Sequence, residues 1–253
     1  MYRSHPALAL RSIAVTVLLA GAAVGCGGDS DEGSSTDAAP GSDAASVAPD
    51  GKSSEGSSAS SLIDSVNETM RTTAFSSVGT STAFDGALQQ TRWNPDQGFS
   101  MKVTGTPDFA GGEMYCKDGT SYISTPLLAE MLKEKGTTIT VPKQYEEVYV
   151  TSETGQGCDS YFAVSSSGTF APDKDTTIEG RKARAIEVSA AATTDTYFVS
   201  DKAPNHLLKL KSTREGSTSS TTYTDFGSAK PVQIPAKDST MPMADFQNAV
   251  TAG

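Results

Sequence analysis

Histidine, cysteine and tryptophan are scarce in this chain, and their scarcity excludes several kinds of active site. The 253 residues include two histidines, three cysteines and one tryptophan. Only His206 lies beyond residue 5, in a Pro-Asn-His turn, so a catalytic triad or a histidine-rich metal site has one imidazole to use. A Gly-x-x-x-x-Gly-Lys phosphate loop and a Gly-x-Ser-x-Gly nucleophile turn are also absent. We therefore expect no catalytic residue, no metal and no cofactor, and predict that the protein is not an enzyme.

Positive charge is also in short supply. Lysine and arginine number 20 against 30 aspartates and glutamates, which gives a formal net charge of −10. A protein that neutralises nucleic-acid phosphates needs a basic face, and electrostatic adsorption to anionic lipids needs a polybasic cluster. We expect neither kind of partner. The carboxylate pairs at 146–147 and 173–175 are interpreted as solvated loop charges.

The apolar run at residues 13–24 is too short to span a membrane, which takes roughly 20 apolar residues. It follows Arg3 and Arg11 and ends in small residues before Cys26. A basic segment, an apolar stretch of roughly 7–15 residues and a small-residue end are typical of a secretory signal peptide. The sequence therefore predicts a signal peptide over residues 1–25.

The last three residues of this leader and the cysteine after it, Ala-Val-Gly-Cys, resemble a bacterial lipobox, with Ala23 where leucine is usual. The resemblance implies that Cys26 receives a diacylglycerol and becomes the first residue after cleavage. Two acyl chains hold a protein stably on a membrane, whereas one does so only marginally. The expected location is the outer face of the bacterial plasma membrane. The alternative is an ordinary signal peptide followed by a chance cysteine.

Residues 26–58 consist mainly of serine, glycine, aspartate, alanine and proline. Such a segment cannot bury enough apolar surface to offset its ordering entropy, so it is predicted to be a disordered tether. The remaining residues, 59–253, suffice for one domain of ordinary size.

The other two cysteines, Cys116 and Cys158, form an even pair in an exported chain, where disulfides persist. We predict a disulfide between them, which would close a loop of roughly 40 residues and stabilise the fold by roughly 3–4 kcal/mol. A metal site is the less favoured alternative because the chain has no Cys-x-x-Cys spacing.

Apolar spacing predicts two main helices. Leu62, Ile63, Val66 and Met70 recur at three- and four-residue steps within residues 61–75. A second apolar stripe lies in residues 126–135, where Leu127, Leu128, Met131 and Leu132 share one side, and Gly136 ends the helix. A last helical turn is expected near residues 244–249.

Alternating apolar and polar residues predict strands between and after these helices. Asp-Gly turns at 85–86 and 118–119 separate the early strands. The clearest pattern is an antiparallel meander of four strands in residues 182–226.

Three features carry a resemblance to a known family: the lipobox at Cys26, the helix at 62–75 and the meander segments at 178–183, 197–199, 204–208 and 223–232. In these features the chain resembles the LolA/LppX-like superfamily of secreted lipoproteins. The resemblance implies an α+β fold in which a curved antiparallel sheet, a half-barrel, packs on an N-terminal helix and one or two short helices. It also implies an apolar cavity between sheet and helices that accommodates acyl chains.

The sequence is therefore compatible with two functions. The first is a membrane-anchored, monomeric protein that binds or carries a lipid or other apolar ligand in that cavity. The second is an anchored interaction, sensor or accessory domain whose core is filled. Five residues are predicted to face the sheet, as cavity wall or as core: Leu62, Val66, Met70, Leu128 and Met131.

Overall fold

The structure is a computed structural model that describes residues 59–84, 86–107 and 109–251. The predicted signal peptide, Cys26 and the whole of the predicted tether lie outside the described residues. The helices are α1 Ser60–Thr72, α2 Thr125–Glu134 and α3 Met243–Thr251. The strands are β1 Phe75–Thr80, β2 Leu88–Asn94, β3 Gly98–Thr106, β4 Phe109–Lys117, β5 Thr120–Ser124, β6 Tyr149–Glu153, β7 Thr169–Phe170, β8 Thr176–Ile178, β9 Arg181–Ala190, β10 Thr193–Ser200, β11 Leu207–Arg214, β12 Ser217–Thr224 and β13 Thr240–Pro242.

All of these strands belong to one open sheet in the order β13-β6-β5-β4-β3-β2-β1-β12-β11-β10-β9-β7, with β8 also paired to β9. The predicted α+β class, a curved sheet packed on an N-terminal helix and short helices, is confirmed. One detail differs from a purely antiparallel sheet. The edge strand β13 runs parallel to β6, because the chain returns to that edge through a long connection after β12 and not through a hairpin.

The helix α1 forms because its apolar residues lie on one stripe. Ile63, Val66 and Met70 are all buried. The helix ends at Thr72, three residues before the predicted end, because Thr73 is extended and Phe75 already belongs to β1. The second helix, α2, matches its prediction to within one residue at each end.

We call the side of the sheet that carries Phe75, Trp93, Val199 and Tyr223 the inner face. These residues belong to the main apolar core, together with buried residues of α1 and α2. The opposite, outer face carries a much smaller apolar cluster, formed by Ala183, Ala185, Phe198 and Leu208. The core is therefore strongly one-sided, as expected for a sheet covered on one face.

A segment without regular strands, residues 158–168, covers part of the inner face, and we call it the crossing segment. The ring of Phe162 packs edge-on against Phe75 and tilted against Trp93, both at 5.0 Å between ring centroids. The segment is fixed at one end by the Cys116–Cys158 disulfide, whose cysteines are 42 residues apart. The predicted disulfide is confirmed, and it joins the crossing segment to β4.

Candidate functional site

The candidate site is the inner face, where the helices and the crossing segment meet the sheet. The structure places the five predicted residues in one apolar core. Val66, Met70 and Leu128 are buried within it, and Leu62 and Met131 are half-buried and pack against it. The sequence pattern thus identified the inward side of both helices. Their role as the wall of a ligand cavity remains a prediction.

Around α1, the inner face is aromatic and closely packed. The indole Nε1 of Trp93 donates a hydrogen bond of 3.0 Å to the carbonyl oxygen of Arg71, at the end of α1. Tyr223 lies edge-on to Phe75, with ring centroids 5.6 Å apart. Burial raises the pKa of the Tyr223 hydroxyl above its usual range, with a further contribution from Tyr197. This part of the face is a protein core and offers no reactive group.

On β10 and β11, the inner face carries two polar residues, each with a buried atom that has no hydrogen-bond partner among the described residues. Asp195 of β10 pairs directly with Ser212 of β11. The atoms Asp195 Oδ1 and Ser212 Oγ are both buried and have no hydrogen-bond partner among the described residues. The neighbouring pair on the same face is Tyr197 and Leu210, both part of the main core or packed against it.

Asp195 and Ser212 are absent from the residues predicted above, although the sequence carries a signal for them. Asp195 has the same strand parity as Tyr197, so alternation places it on the apolar side of β10. A charged residue at an inward position is unusual enough to mark a candidate site.

The outer face carries a carboxylate, that of Glu113, whose hydrogen bonds and ion pair are all formed with other residues of the sheet. Glu113 accepts hydrogen bonds from the hydroxyls of Tyr115, at 2.9 Å, and Tyr149, at 3.0 Å, and pairs with Lys102 at 3.5 Å. Burial opposes ionisation, but the two hydroxyls and Lys102 outweigh it and hold the pKa of Glu113 below its usual value. This cluster ties β4 to β6 and needs no ligand.

His206, the histidine that the sequence placed in a surface turn, is half-buried at the rim of the sheet. Its ring stacks on Phe226 at 4.1 Å between centroids. Burial lowers the pKa of the imidazole, and the nearby Arg181 lowers it further. Together with Arg181, Lys182 and Lys202, it lines an open pocket of about 680 Å³. Because its ring stacks on Phe226, we interpret His206 as a packing residue.

Two further features are absent from the part of the chain that the structure describes. No helix in that part is long and apolar enough to cross a membrane. No group of three or more histidine, cysteine, aspartate or glutamate side chains in the same residues is arranged to hold a metal ion. The carboxylates of 146–147 and 173–175 are exposed, as the sequence indicated.

Comparison with known proteins gives matches among solved structures. No family model and no curated protein matches the chain. An uncharacterised conserved protein from Thermus thermophilus matches with a TM-score of 0.46 and 9% identity, over 72% of this chain and 97% of that one. LprF from Mycobacterium bovis matches with a TM-score of 0.39 and 12% identity, over 70% and 95%. The lipoprotein LppX from Mycobacterium tuberculosis matches with a TM-score of 0.41 and 11% identity, over 69% and 97%.

The similar solved structures also include a LolA superfamily protein from Nitrosomonas europaea, with a TM-score of 0.30 and 12% identity, over 73% of this chain and 98% of that one.

Proposed function

We propose that this protein is a lipid-anchored protein of the outer face of a bacterial plasma membrane, and that it binds or carries a lipid or other apolar ligand between its sheet and helices. The proposal has two parts, anchoring and ligand binding, and each depends on different residues.

The observation that carries the ligand-binding part is the one-sided core. Apolar side chains of α1, α2 and the inner face are packed against the main core yet stay partly accessible, so the apolar surface continues outward from the buried centre. Apolar surface of this kind, with a few polar groups beside it, is what a ligand pocket offers an acyl chain. The partly buried residues are Leu62, Met131, Leu132, Val188 and Leu210.

The location is supported by two independent features. The leader ending at Cys26 has the composition of an export signal with a lipobox. The Cys116–Cys158 disulfide suits an oxidising compartment outside the cytoplasm, where such bonds form and persist.

The experiment is native mass spectrometry of the full-length protein, produced with its leader and extracted in mild detergent, followed by lipid extraction. We expect an added mass beyond the covalently attached acyl chains, and a single lipid class in the extract. Met131→Lys, which places a charge beside the core, is expected to reduce the bound fraction several-fold. Glu134→Lys adds the same residue on the exposed side of α2 and is expected to change nothing.

The second candidate is an anchored interaction domain with a filled core. The tight packing of Val66, Met70 and Leu127, each at most 1% exposed, favours it. A mass equal to the acylated chain alone, with no further lipid in the extract, would contradict the carrier function and favour this candidate.

A further inference from the structure

Where β9 begins and β10 ends, the sheet carries a pocket whose basic residues have no carboxylate partner. Arg181, Lys182 and Lys202 line this pocket of about 680 Å³, and Asp201 is the acidic residue in its lining. None of these three cations takes part in an ion pair with another described residue. Unpaired cations gathered in one place are unexpected in a chain with a net charge of −10. The pocket therefore has a surplus of positive charge that the protein itself does not neutralise.

The guanidinium group of Arg181 is held in place by an aromatic ring. It lies over the ring of Phe226, 5.3 Å from the ring centroid, and His206 stacks on the same ring. Arg181 has the strand parity of Ala183 and Ala185, which belong to the apolar cluster of the outer face. The planar fork of arginine donors matches the geometry of oxyanions. Arg181 is thus a positioned anion-binding group on the outer face, opposite the face to which ligand binding was assigned above.

The loop between β10 and β11, which carries Lys202, is fixed from below by Ser200. This serine is 6% exposed, and its Oγ lies 2.9 Å from the carbonyl oxygen of Lys202 and 3.0 Å from that of Pro204. The same Oγ accepts a hydrogen bond from the His206 amide at 3.1 Å, and Asn205 Nδ2 donates to the Ser200 carbonyl oxygen at 2.9 Å. A loop with these internal bonds has little backbone freedom to lose on binding, so this side of the pocket is preorganised.

The imidazole of His206, which also lines the pocket, senses the uncompensated charge. Burial lowers its pKa, and the charge of Arg181 lowers it further. A cation has this effect on a neighbouring imidazole when no anion close by compensates it. The other charged groups that line the pocket with His206 are Lys182, Asp201 and Lys202. His206 can therefore serve as a probe of any anion that enters.

We propose that this pocket binds a phosphate group. A phosphate monoester carries a charge of about −1.5 to −2 at pH 7, whereas a carboxylate carries one negative charge. The three cations and Asp201 leave a surplus of two positive charges in the lining, which the phosphate balances. Arginine binds such a group through parallel hydrogen bonds, and lysine binds it as a point charge.

The phosphate can belong to a free compound or to a single lipid headgroup, since both present the same chemistry. Adsorption to an anionic membrane surface takes clusters of about four to eight lysines and arginines, more than this pocket has. The sequence shows no basic run because β10 separates Arg181 from Lys202 along the chain. The proposal concerns the outer face and does not depend on the ligand proposed for the inner face.

The test follows the imidazole proton resonances of His206 by NMR in full-length protein, held in a neutral detergent. The resonances missing from His206→Gln assign them. The pKa of His206 is measured by titration with and without inorganic phosphate, and chloride keeps the ionic strength equal. We expect phosphate to raise this pKa by about one unit, because a nearby anion favours the imidazolium form. The shift is expected to saturate with phosphate concentration.

Variants with matched controls connect the shift to the pocket. Arg181→Gln and Lys202→Gln are each expected to raise the half-saturating phosphate concentration about ten-fold, because each removes a charged hydrogen-bond donor. Arg184→Gln removes another arginine of β9 that lies over a phenylalanine, at 3.9 Å from the ring centroid of Phe170, but does not line the pocket. Lys237→Gln removes an exposed lysine outside the pocket. Both controls are expected to bind phosphate as the wild type does. Lys202 is exposed, so its variant keeps the test valid if Arg181→Gln is unstable.

A second arm identifies the source of the phosphate. The detergent micelles are doped with dioleoyl phosphatidic acid, or with dioleoyl phosphatidylcholine as the control without net charge. A His206 shift with inorganic phosphate supports a site for free phosphate compounds, and a shift with phosphatidic acid alone supports a lipid headgroup. No shift with either, an equal shift with acetate, or an unchanged half-saturating concentration in both Arg181→Gln and Lys202→Gln overturns the proposal. The lipid extraction described above tests the inner face separately, so either result can fail without the other.

Discussion

At the scale of single residues, the Cys116–Cys158 disulfide has the clearest energetic role. It closes a loop across a separation of 42 residues, and the chain-entropy model assigns such a loop roughly 3–4 kcal/mol. We expect the double variant Cys116→Ala/Cys158→Ala to lose about that much unfolding free energy in urea. Adding dithiothreitol is expected to weaken the wild type by a similar amount and to leave the double variant unchanged. A wild type insensitive to reductant in urea would contradict the prediction.

His206 is expected to make stability depend on pH. Its folded-state pKa is lowered by burial and by Arg181, so the unfolded chain binds the proton more tightly. The full contribution is present above the unfolded pKa of about 6.5 and is lost as the pH falls from there toward the lowered folded value. We expect the wild type to lose unfolding free energy between pH 7.5 and pH 5, and His206→Gln to show a flatter profile.

The control for this prediction is Glu113. Its pKa is lowered from the ordinary value of 4.5, so its stabilisation is lost only as the pH falls below that value. Glu113→Gln should therefore leave the slope between pH 7.5 and pH 5 as it is in the wild type. The same slope in wild type and His206→Gln would show that another group is responsible.

At the scale of elements, Asn67 connects α1 to the crossing segment. Its Nδ2 donates to the carbonyl oxygen of Val164 at 2.9 Å, and the Val164 amide donates to its Oδ1 at 2.8 Å. Asn67→Ala leaves both backbone groups of a buried residue without these partners, and we expect a loss of about 2 kcal/mol. Hydrogen exchange at the Val164 amide is expected to accelerate.

Glu68 provides the matched control on the same helix. It forms an exposed ion pair with Arg71, and such pairs contribute about 0–1 kcal/mol. Glu68→Ala should therefore have a small effect on unfolding and none on Val164 exchange. An Asn67→Ala variant as stable as Glu68→Ala would contradict a connecting role for Asn67.

The helices could be predicted because the spacing of apolar residues is a local signal. The disulfide could be predicted because the chain has three cysteines and one of them belongs to the lipobox, which leaves a single pair. Apolar residues at three- and four-residue steps identify the buried side of α1 from the chain alone. The Asp118-Gly119 turn is also local, and both residues adopt the positive φ that a tight hairpin favours. The bonds of Asn67 could not be predicted in this way, since they join residues 97 apart in the chain. The missing hydrogen-bond partner of Asp195 Oδ1 could not be predicted either, because it depends on which side chains the folded sheet brings near that atom.

At the scale of the whole molecule, the sheet is asymmetric, because its inner face carries the main apolar core and its outer face a much smaller apolar cluster. On the outer face, the half-buried carboxylate of Glu113 is satisfied internally, by hydrogen bonds from the hydroxyls of Tyr115 and Tyr149. The inner face combines most of the apolar surface with the unpaired atoms of Asp195 and Ser212. We therefore assign the proposed ligand binding to the inner face.

The membrane anchoring that we propose concerns the whole molecule and depends on one residue, Cys26. We expect the wild type, produced with its leader in bacteria fed an alkynyl fatty acid, to carry the label, because a lipobox cysteine acquires acyl chains. Cys26→Ser should lose the label completely. Cys116→Ala/Cys158→Ala should keep it, because those cysteines are joined to each other. Label retained on Cys26→Ser would favour an ordinary signal peptide with acylation elsewhere, and membrane attachment would then need another explanation than two acyl chains at the amino terminus.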